Sequence, residues 1–169
     1  EDLLRRDPVR IQANDAFYLH DKTMLVTGAG GSIGSELCRQ AAHRKPEHII
    51  LLGHGEHSIY RIHQELKANF PHLKLTPTIA DVRDKARLYR LFESLRPEVI
   101  FHAAAHKHVP LMELNAEEAV SNNVLGTRNV VDVAEQLGVE RFVLISSDKA
   151  VNPVNIMGAT KRIAEMVVQ

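Results

Sequence analysis

A short apolar run, Thr23-Met24-Leu25-Val26-Thr27, leads directly into Gly28-Ala29-Gly30-Gly31-Ser32-Ile33-Gly34. This junction constrains the fold more than any other stretch. An apolar pentapeptide halted by glycines reads as a buried strand ending in a tight turn. From Ser32 to His43 the apolar residues Ile33, Leu37 and Ala41 recur at helical spacing. A strand, a glycine turn and a helix in immediate succession open a βαβ unit, whose next strand lies parallel to the first.

The alternation continues down the chain. Strands are predicted at His48–Leu52, Lys74–Ile79, Glu98–His102 and Arg141–Ile145. Helices are predicted at Ser58–Phe70, Asp84–Leu95 and Ala116–Leu137, and another begins at Met157. Gly138 stands where a left-handed C-terminal cap belongs, and Pro97 follows the end of the helix before it. Continuous apolar strands between amphipathic helices imply a parallel sheet covered on both faces. With right-handed crossovers the fold class is α/β, a doubly wound sheet of the Rossmann type. Residues 1–20 precede the repeat, and Pro8 and Gln12-Ala13-Asn14-Asp15 mark them as an arm or linker; the domain proper is read as residues 21–169.

Bulk properties narrow the function classes. The 169 residues carry 21 basic and 21 acidic side chains, so no excess of positive charge points to nucleic acid. No apolar run reaches the ~18 residues of a membrane span. Cys38 is the only cysteine, which excludes an internal disulfide and fits a reducing, cytoplasmic compartment. On the first predicted helix it reads as a packing residue.

The glycine turn is a phosphate cradle by its context. Glycines allow a pyrophosphate close to the backbone, and the helix N-terminus that follows offers free N–H groups. Gly28, Gly30, Gly31, Ser32, Ile33 and Gly34 are therefore assigned to a nicotinamide dinucleotide. The second strand usually ends in an acid for the ribose 2′-hydroxyl, but Gly53 stands there. Glu56 is the substitute acid, and the open position also admits a 2′-phosphate; the cofactor is read as NAD or NADP, with a slight lean to NAD. Asp81 and Val82 follow the third strand, where an adenine would meet a carboxylate acceptor and an apolar face. Helix capping beside Asp84 is the competing reading of Asp81. Ala103, Ala104 and Ala105 end the fourth strand, small enough for close approach of a cofactor or simply for core packing.

Ser147, Asp148 and Lys149 follow the fifth strand, at the carboxyl edge where open α/β sheets bind ligands. An acid beside an amine can divide acid and base roles when the environment separates their pKa values. The competing reading is a loop ion pair. Ten histidines invite a metal reading, but His102, His106 and His108 lack a matching Cys or carboxylate set, so no metal is assigned. His106, Lys107 and His108 are assigned to diphosphate or sugar hydroxyls, with solvent exposure as the alternative.

These stretches resemble one family. Thr27–Gly34, His102–Glu113, Asn122-Asn123-Val124-x-Gly126-Thr127 and Ser146–Lys161 are similar to the bacterial polysaccharide-biosynthesis UDP-sugar 4,6-dehydratases, CapD-like members of the extended short-chain dehydrogenase/reductases. The likeness runs over nearly the whole chain. Even Glu1–Val9 resembles the segment after the membrane region of the long members. Enzymes with this glycine opening normally carry a Tyr four residues before a Lys; here the Lys is Lys161 and the Tyr position holds Met157, as in the long members.

The resemblance implies C4 oxidation of UDP-N-acetylglucosamine or a close relative, loss of water across C5 and C6, and reduction at C6. It implies Lys149 as the base at C5, Asp148 as the acid for the departing hydroxyl and Ser147 on the C4 oxygen. Lys161 would hold the nicotinamide ribose, Asn122 or Asn123 would support the site, and Asn152 is placed with the substrate. A homo-oligomer is expected, as is a cytoplasmic catalytic region whose parent admits an inner-membrane anchor. The family has a further C-terminal region for UDP and sugar, so this chain is expected to be a fragment that binds cofactor and need not turn over alone. A UDP-sugar epimerase of the same superfamily and a non-catalytic dinucleotide-binding module are the competing functions. The acid beside Lys149 and the Met at 157 favour dehydration.

Overall fold

The computed structural model describes residues 17–169. Five strands form one parallel sheet: β1 (Thr23–Thr27), β2 (His48–Gly53), β3 (Lys74–Ile79), β4 (Val99–His102) and β5 (Arg141–Leu144), in the order β3-β2-β1-β4-β5. This is the doubly wound arrangement expected from the alternation. The strand order reverses between β1 and β4, so the crevice at their carboxyl ends is the natural ligand site. Of the predicted arm, only residues 17–20 are described; Pro8, Gln12–Asp15 and the family-like Glu1–Val9 lie outside the described residues.

The sheet divides the core in two because successive strand residues face opposite sides. Met24, Val26, Ile49, Leu51, Val99 and Phe101 pack on one face, with Cys38 and Ala41 of α1 (Ser32–Ala42) and Ile59, Ile62 and Leu66 of α2 (Glu56–Asn69). Leu25, Ile50, Leu52 and Ile100 pack on the other, with Leu88 and Phe92 of α3 (Lys85–Leu95) and Val130 and Val133 of α6 (Gly126–Gln136). Each fully buried Leu, Ile or Phe contributes about 1.5–3 kcal/mol. Two-sided burial is why these strands read as continuous apolar runs. Pro77 is tolerated because, among the described residues, β3 is an edge strand paired with β2 alone.

Local chemistry sets the helix ends. The Asp84 carboxylate accepts from Arg87 N at 2.9 Å and starts α3, which ends at Arg96 in the left-handed conformation before Pro97. Asn155 caps α7 (Ile156–Val168) by accepting from Gly158 N at 2.7 Å. Gly138, beyond α6, has φ +69°, as the capping pattern predicts.

Two segments differ from expectation. Val109–Leu114 forms a short helix, α4, with Pro110 in its first turn, where the sequence pattern predicts no element. The single helix predicted over Ala116–Leu137 is broken into α5 (Ala116–Ala119), a π-helical turn (Val120–Leu125) and α6. The break has a physical cause. Asn122 and Asn123 are both buried, and the widened turn lets Asn123 reach the His106 backbone and Thr160 across the interior while it accepts from the Asn122 amide. Smaller shifts affect α1, which stops at Ala42, and α2, which begins two residues early at Glu56.

Candidate active site

The crevice at the carboxyl edge has two neighbouring compartments. One, of about 240 Å³, is lined by Gly28, Gly30, Gly31, Gly53, His54, Gly55, Ser58, Ala103, Ala104, Ala105, His106 and Asn122. The other, of about 380 Å³, is lined by Ile33, Ala103, Ala105, Lys107, Ile145, Ser146, Ser147, Asp148, Lys149, Met157 and Lys161. Ala103 and Ala105 belong to both, so the alanine segment after β4 is the shared wall.

The first compartment fits a dinucleotide on steric grounds. Gly28 has φ +65°, and a Cβ there would stand 2.8 Å from Ala104 N. A Cβ on Gly34 would come within 2.1 Å of Gly28 O. The glycines thus let the turn pack directly against the alanine segment and let α1 start close upon it. The N-cap of α1 is Gly31, with no side chain on the first N–H groups, which leaves them for an anion.

Other residues assigned to the cofactor fall differently. Asn122 lines the first compartment, Ile33 the second, and Ser32 a separate pocket with Ser58 and Arg61. Glu56 is exposed at the start of α2 and lies outside the lining of both compartments. Val82 is 4% exposed and packs under α6, where a Cβ on Gly126 would lie 2.7 Å from its Cγ2. Asp81 accepts from Arg83 N and from its guanidinium, and Arg83 Nη1 reaches Glu118 at 2.8 Å. The Arg83 hydrogen bonds hold the Asp81 carboxyl below its ordinary range. It is an acceptor already engaged by a cation, and Asp84, not Asp81, caps α3.

The second compartment gathers the reactive segment. A 3₁₀ turn, Asp148–Ala150, follows β5, and Ser147 caps it by accepting from Lys149 N at 3.2 Å. Ser147 Oγ donates to Asp148 Oδ1 at 3.0 Å, and Lys149 Nζ donates to the same oxygen at 3.3 Å. These donors, Ser147 foremost, hold the Asp148 carboxyl below its ordinary range. In the open cleft Asp148 is therefore a carboxylate at neutral pH. Its side chain is 85% exposed, so a substrate would have to desolvate it before it could carry a proton.

Lys161 is 6% exposed and donates to Ile145 O at 2.6 Å. Burial pushes its ammonium below the ordinary lysine value. Met157, one turn earlier on α7, lines the compartment but is also buried with Met112 and Ala119. Its side chain has no ionisable group, so no phenol-type base exists at this position.

The predicted substrate residues divide. Lys107 lines the second compartment and His106 the first. His108 and Asn152 are exposed and outside both linings. The His106 backbone is held by one side chain: Asn123 accepts from its N–H at 2.8 Å and donates to its C=O at 2.9 Å. Asn123 also donates to Thr160 Oγ1 at 3.0 Å, joining the loop after β4 to the helix that carries Met157 and Lys161. Sequence reasoning missed Ser58, Ile145 and the two threonines Thr27 and Thr127, both buried. The signal available was a polar residue closing an apolar strand or lying on the inward face of a helix. Among the described residues, no group of three or more His, Cys, Asp or Glu side chains forms a metal site, and no helix is long and apolar enough to cross a membrane.

The 3-2-1-4-5 parallel sheet, the glycine turn and the Ser-Asp-Lys segment over a buried lysine define an extended short-chain dehydrogenase/reductase. Within that class the chain belongs to the family described as "Polysaccharide biosynthesis protein", whose pattern matches residues 24–169. It is 58% identical over 171 aligned residues to the capsular polysaccharide biosynthesis protein CapD of Staphylococcus aureus, covering 100% of this chain and 28% of that protein. It is 37% identical over 141 residues to the UDP-N-acetylglucosamine 4,6-dehydratase (inverting) of Campylobacter jejuni, covering 83% of this chain and 40% of the relative. A UDP-glucose 4-epimerase of Rickettsia canadensis is 34% identical over 86% of the chain and 42% of its own length. Among solved structures, DesIV, a dTDP-glucose 4,6-dehydratase from Streptomyces venezuelae with NAD and TYD bound, superposes with a TM-score of 0.72 at 27% identity, over 86% of this chain and 50% of that one. The chain thus spans less than half the length of these curated relatives.

Proposed function

We propose that this chain is the cofactor-binding and acid–base portion of a nucleotide-sugar 4,6-dehydratase acting on UDP-N-acetylglucosamine, with NAD as the favoured cofactor. One observation carries the reading: the Asp148–Lys149 pair stands over the same compartment as buried Lys161, with Met157 where a tyrosine base would be. The nicotinamide, when bound, supplies a hydride acceptor for sugar C4 and the hydride returned to C6.

The chain's residues do the rest. Gly28 to Gly34 and the free N–H groups of α1 would hold the diphosphate of the cofactor. Lys161, fixed by Ile145 O, would hold the ribose next to the nicotinamide. Ser147 orients the C4 oxygen. As C4 is oxidised, Asp148 takes the proton of the C4 hydroxyl. Lys149, as the free amine, takes the proton from C5, acidified by the adjacent carbonyl, and returns it there as C6 is reduced. Asp148 gives its proton to the C6 hydroxyl, which leaves as water. Asp148 and Lys149 share a hydrogen bond, so the acid and the base are held side by side over the cleft. A substrate that covers the exposed carboxylate raises its proton affinity and makes it an acid only when the sugar is in place.

The test is incubation of the segment, restored to its full catalytic region, with UDP-N-acetylglucosamine and either NAD or NADP, read by mass spectrometry and proton NMR. Loss of one water with a new C6 methyl signal is the expected outcome. An unchanged mass with a new sugar configuration would move the assignment to the epimerase reading, which the Rickettsia relative favours. No change in a folded protein with either cofactor would refute both.

A further inference from the structure

His102, the last residue of β4, has no part in the chemistry above, yet it bridges two elements behind the cleft. It is 1% exposed and lies at the strand-order reversal between β1 and β4. Its Nδ1 is 2.7 Å from Thr27 Oγ1, and its Nε2 is 3.0 Å from Thr127 Oγ1. Thr127 donates its only hydroxyl proton to Asn123 O at 2.6 Å, so towards the imidazole Thr127 can only accept. That fixes the proton of His102 on Nε2. Nδ1 then accepts the Thr27 hydroxyl proton, while Thr27 Oγ1 accepts from Ala104 N at 3.2 Å. Every proton in the chain of bonds has one direction.

The two ends of this relay are the walls of the first compartment. Thr27 immediately precedes Gly28, and Ala104 is the backbone against which a Gly28 Cβ would press. Thr127 and Asn123 anchor the π-helical turn, from which Asn122 lines the compartment and Asn123 clasps the His106 backbone. We propose that His102 is a positioning residue for the dinucleotide, setting through Thr27 and Thr127 the gap between the glycine turn and the Asn122–His106 wall. The inference rests on the dinucleotide reading of this compartment. The neutral state the relay requires agrees with the burial of the imidazole, which together with the nearby Lys161 ammonium pushes its pKa down to about 3.

Three variants separate the bonds. His102→Gln keeps a donor towards Thr127, His102→Asn keeps an acceptor for Thr27, and His102→Leu keeps neither. Titration calorimetry of the chain with NAD and with NADP, each variant held well below its melting temperature, reads the effect. His102→Leu is expected to weaken binding about tenfold or more, with His102→Gln and His102→Asn in between. Long-range ¹H–¹⁵N spectra of the unaltered chain are expected to report the Nε2–H tautomer from about pH 8 to about pH 5. Variants that fold and bind as the unaltered chain does would overturn the proposal, even if less stable, because a merely structural residue moves the melting temperature and not the affinity. An Nδ1–H tautomer would overturn the relay directly. If His102→Leu does not fold, the other two variants decide by the same criterion. Failure of the unaltered chain to bind either dinucleotide would refute the reading of the compartment itself.

Discussion

Acid should weaken this fold well before its carboxylates are protonated, and the cause should be traceable to one side chain. His102 has an ordinary value of 6.5 and is pushed to about 3 in the folded chain. Below pH 6.5 the unfolded chain takes up a proton at His102 that the folded chain refuses. The unfolded state therefore gains, and stability falls with pH until the folded pKa is passed. Each pH unit in that interval removes about 1.4 kcal/mol, so between about pH 6.5 and pH 4.5 the loss is roughly 2–3 kcal/mol, a large share of a typical 5–15 kcal/mol. Asp81, Glu98 and Asp148, whose carboxyls lie below their ordinary ranges, add their losses only at lower pH. His48 is also depressed, mainly by burial, and acts in the same window. Comparing the unaltered chain with His102→Gln cancels its contribution. Urea denaturation at intervals from pH 7.5 to about pH 4.5 is the assay. The unaltered chain should lose roughly 2–3 kcal/mol more than the variant over this interval. Parallel stability curves would refute the claim that His102 is buried in neutral form.

Other perturbations read other parts of the fold. Gly34→Ala gains up to about 1 kcal/mol of helix propensity but forces a Cβ onto the Gly28 carbonyl, an overpacking cost of about 1–3 kcal/mol; calorimetry should find weakened NAD binding and a scan should find a lower melting temperature. Asn123→Ala removes the partners of the His106 backbone and of the buried Asn122 amide and should cost about 3 kcal/mol, lowering the melting temperature by roughly 6–12 °C. In the full catalytic region, Asp148→Asn and Lys149→Ala should each abolish turnover while NAD affinity stays within about twofold, because the proposed mechanism gives both side chains to the sugar and neither to the cofactor. Asp84→Ala should cost about 1 kcal/mol in a thermal or urea melt by removing the α3 cap.

The strands were legible because two-sided burial leaves a simple mark: Met24 to Val26, Ile49 to Leu52 and Val99 to Phe101 are apolar without interruption. The glycine turn was equally legible, since only a bare backbone between strand and helix explains Gly28, Gly31 and Gly34 together. The break in the long helix was not. Val120, Val124, Val130 and Val131 keep an apolar rhythm that a regular helix would satisfy, and nothing in it discloses that Asn122 and Asn123 both seek interior partners. Glu56 stands exposed at the start of α2, a placement that its position in the chain does not disclose. Val82 reads as an adenine contact from its neighbours in sequence, whereas the close approach of Gly126 draws it into the core. Periodicity reports which face is apolar; it does not report which polar groups meet across the interior.

The π-helical turn also makes this stretch a phase setter. Each residue advances a helix by about 100°. The surplus residue between α5 and α6 offsets the two helices, so Val130 and Val133 can face the sheet while Asn122 lines the cleft and Asn123 reaches the His106 backbone and Thr160. Side chains here can be exchanged one for another at graded cost, but the number of residues from Asn115 to Thr127 cannot change by one. A single deletion or insertion would rotate either the two asparagines or the α6 core face out of alignment. Drift in this segment is therefore confined to replacement, and length variation among chains of this design should fall elsewhere, in the exposed connections that no asparagine keys.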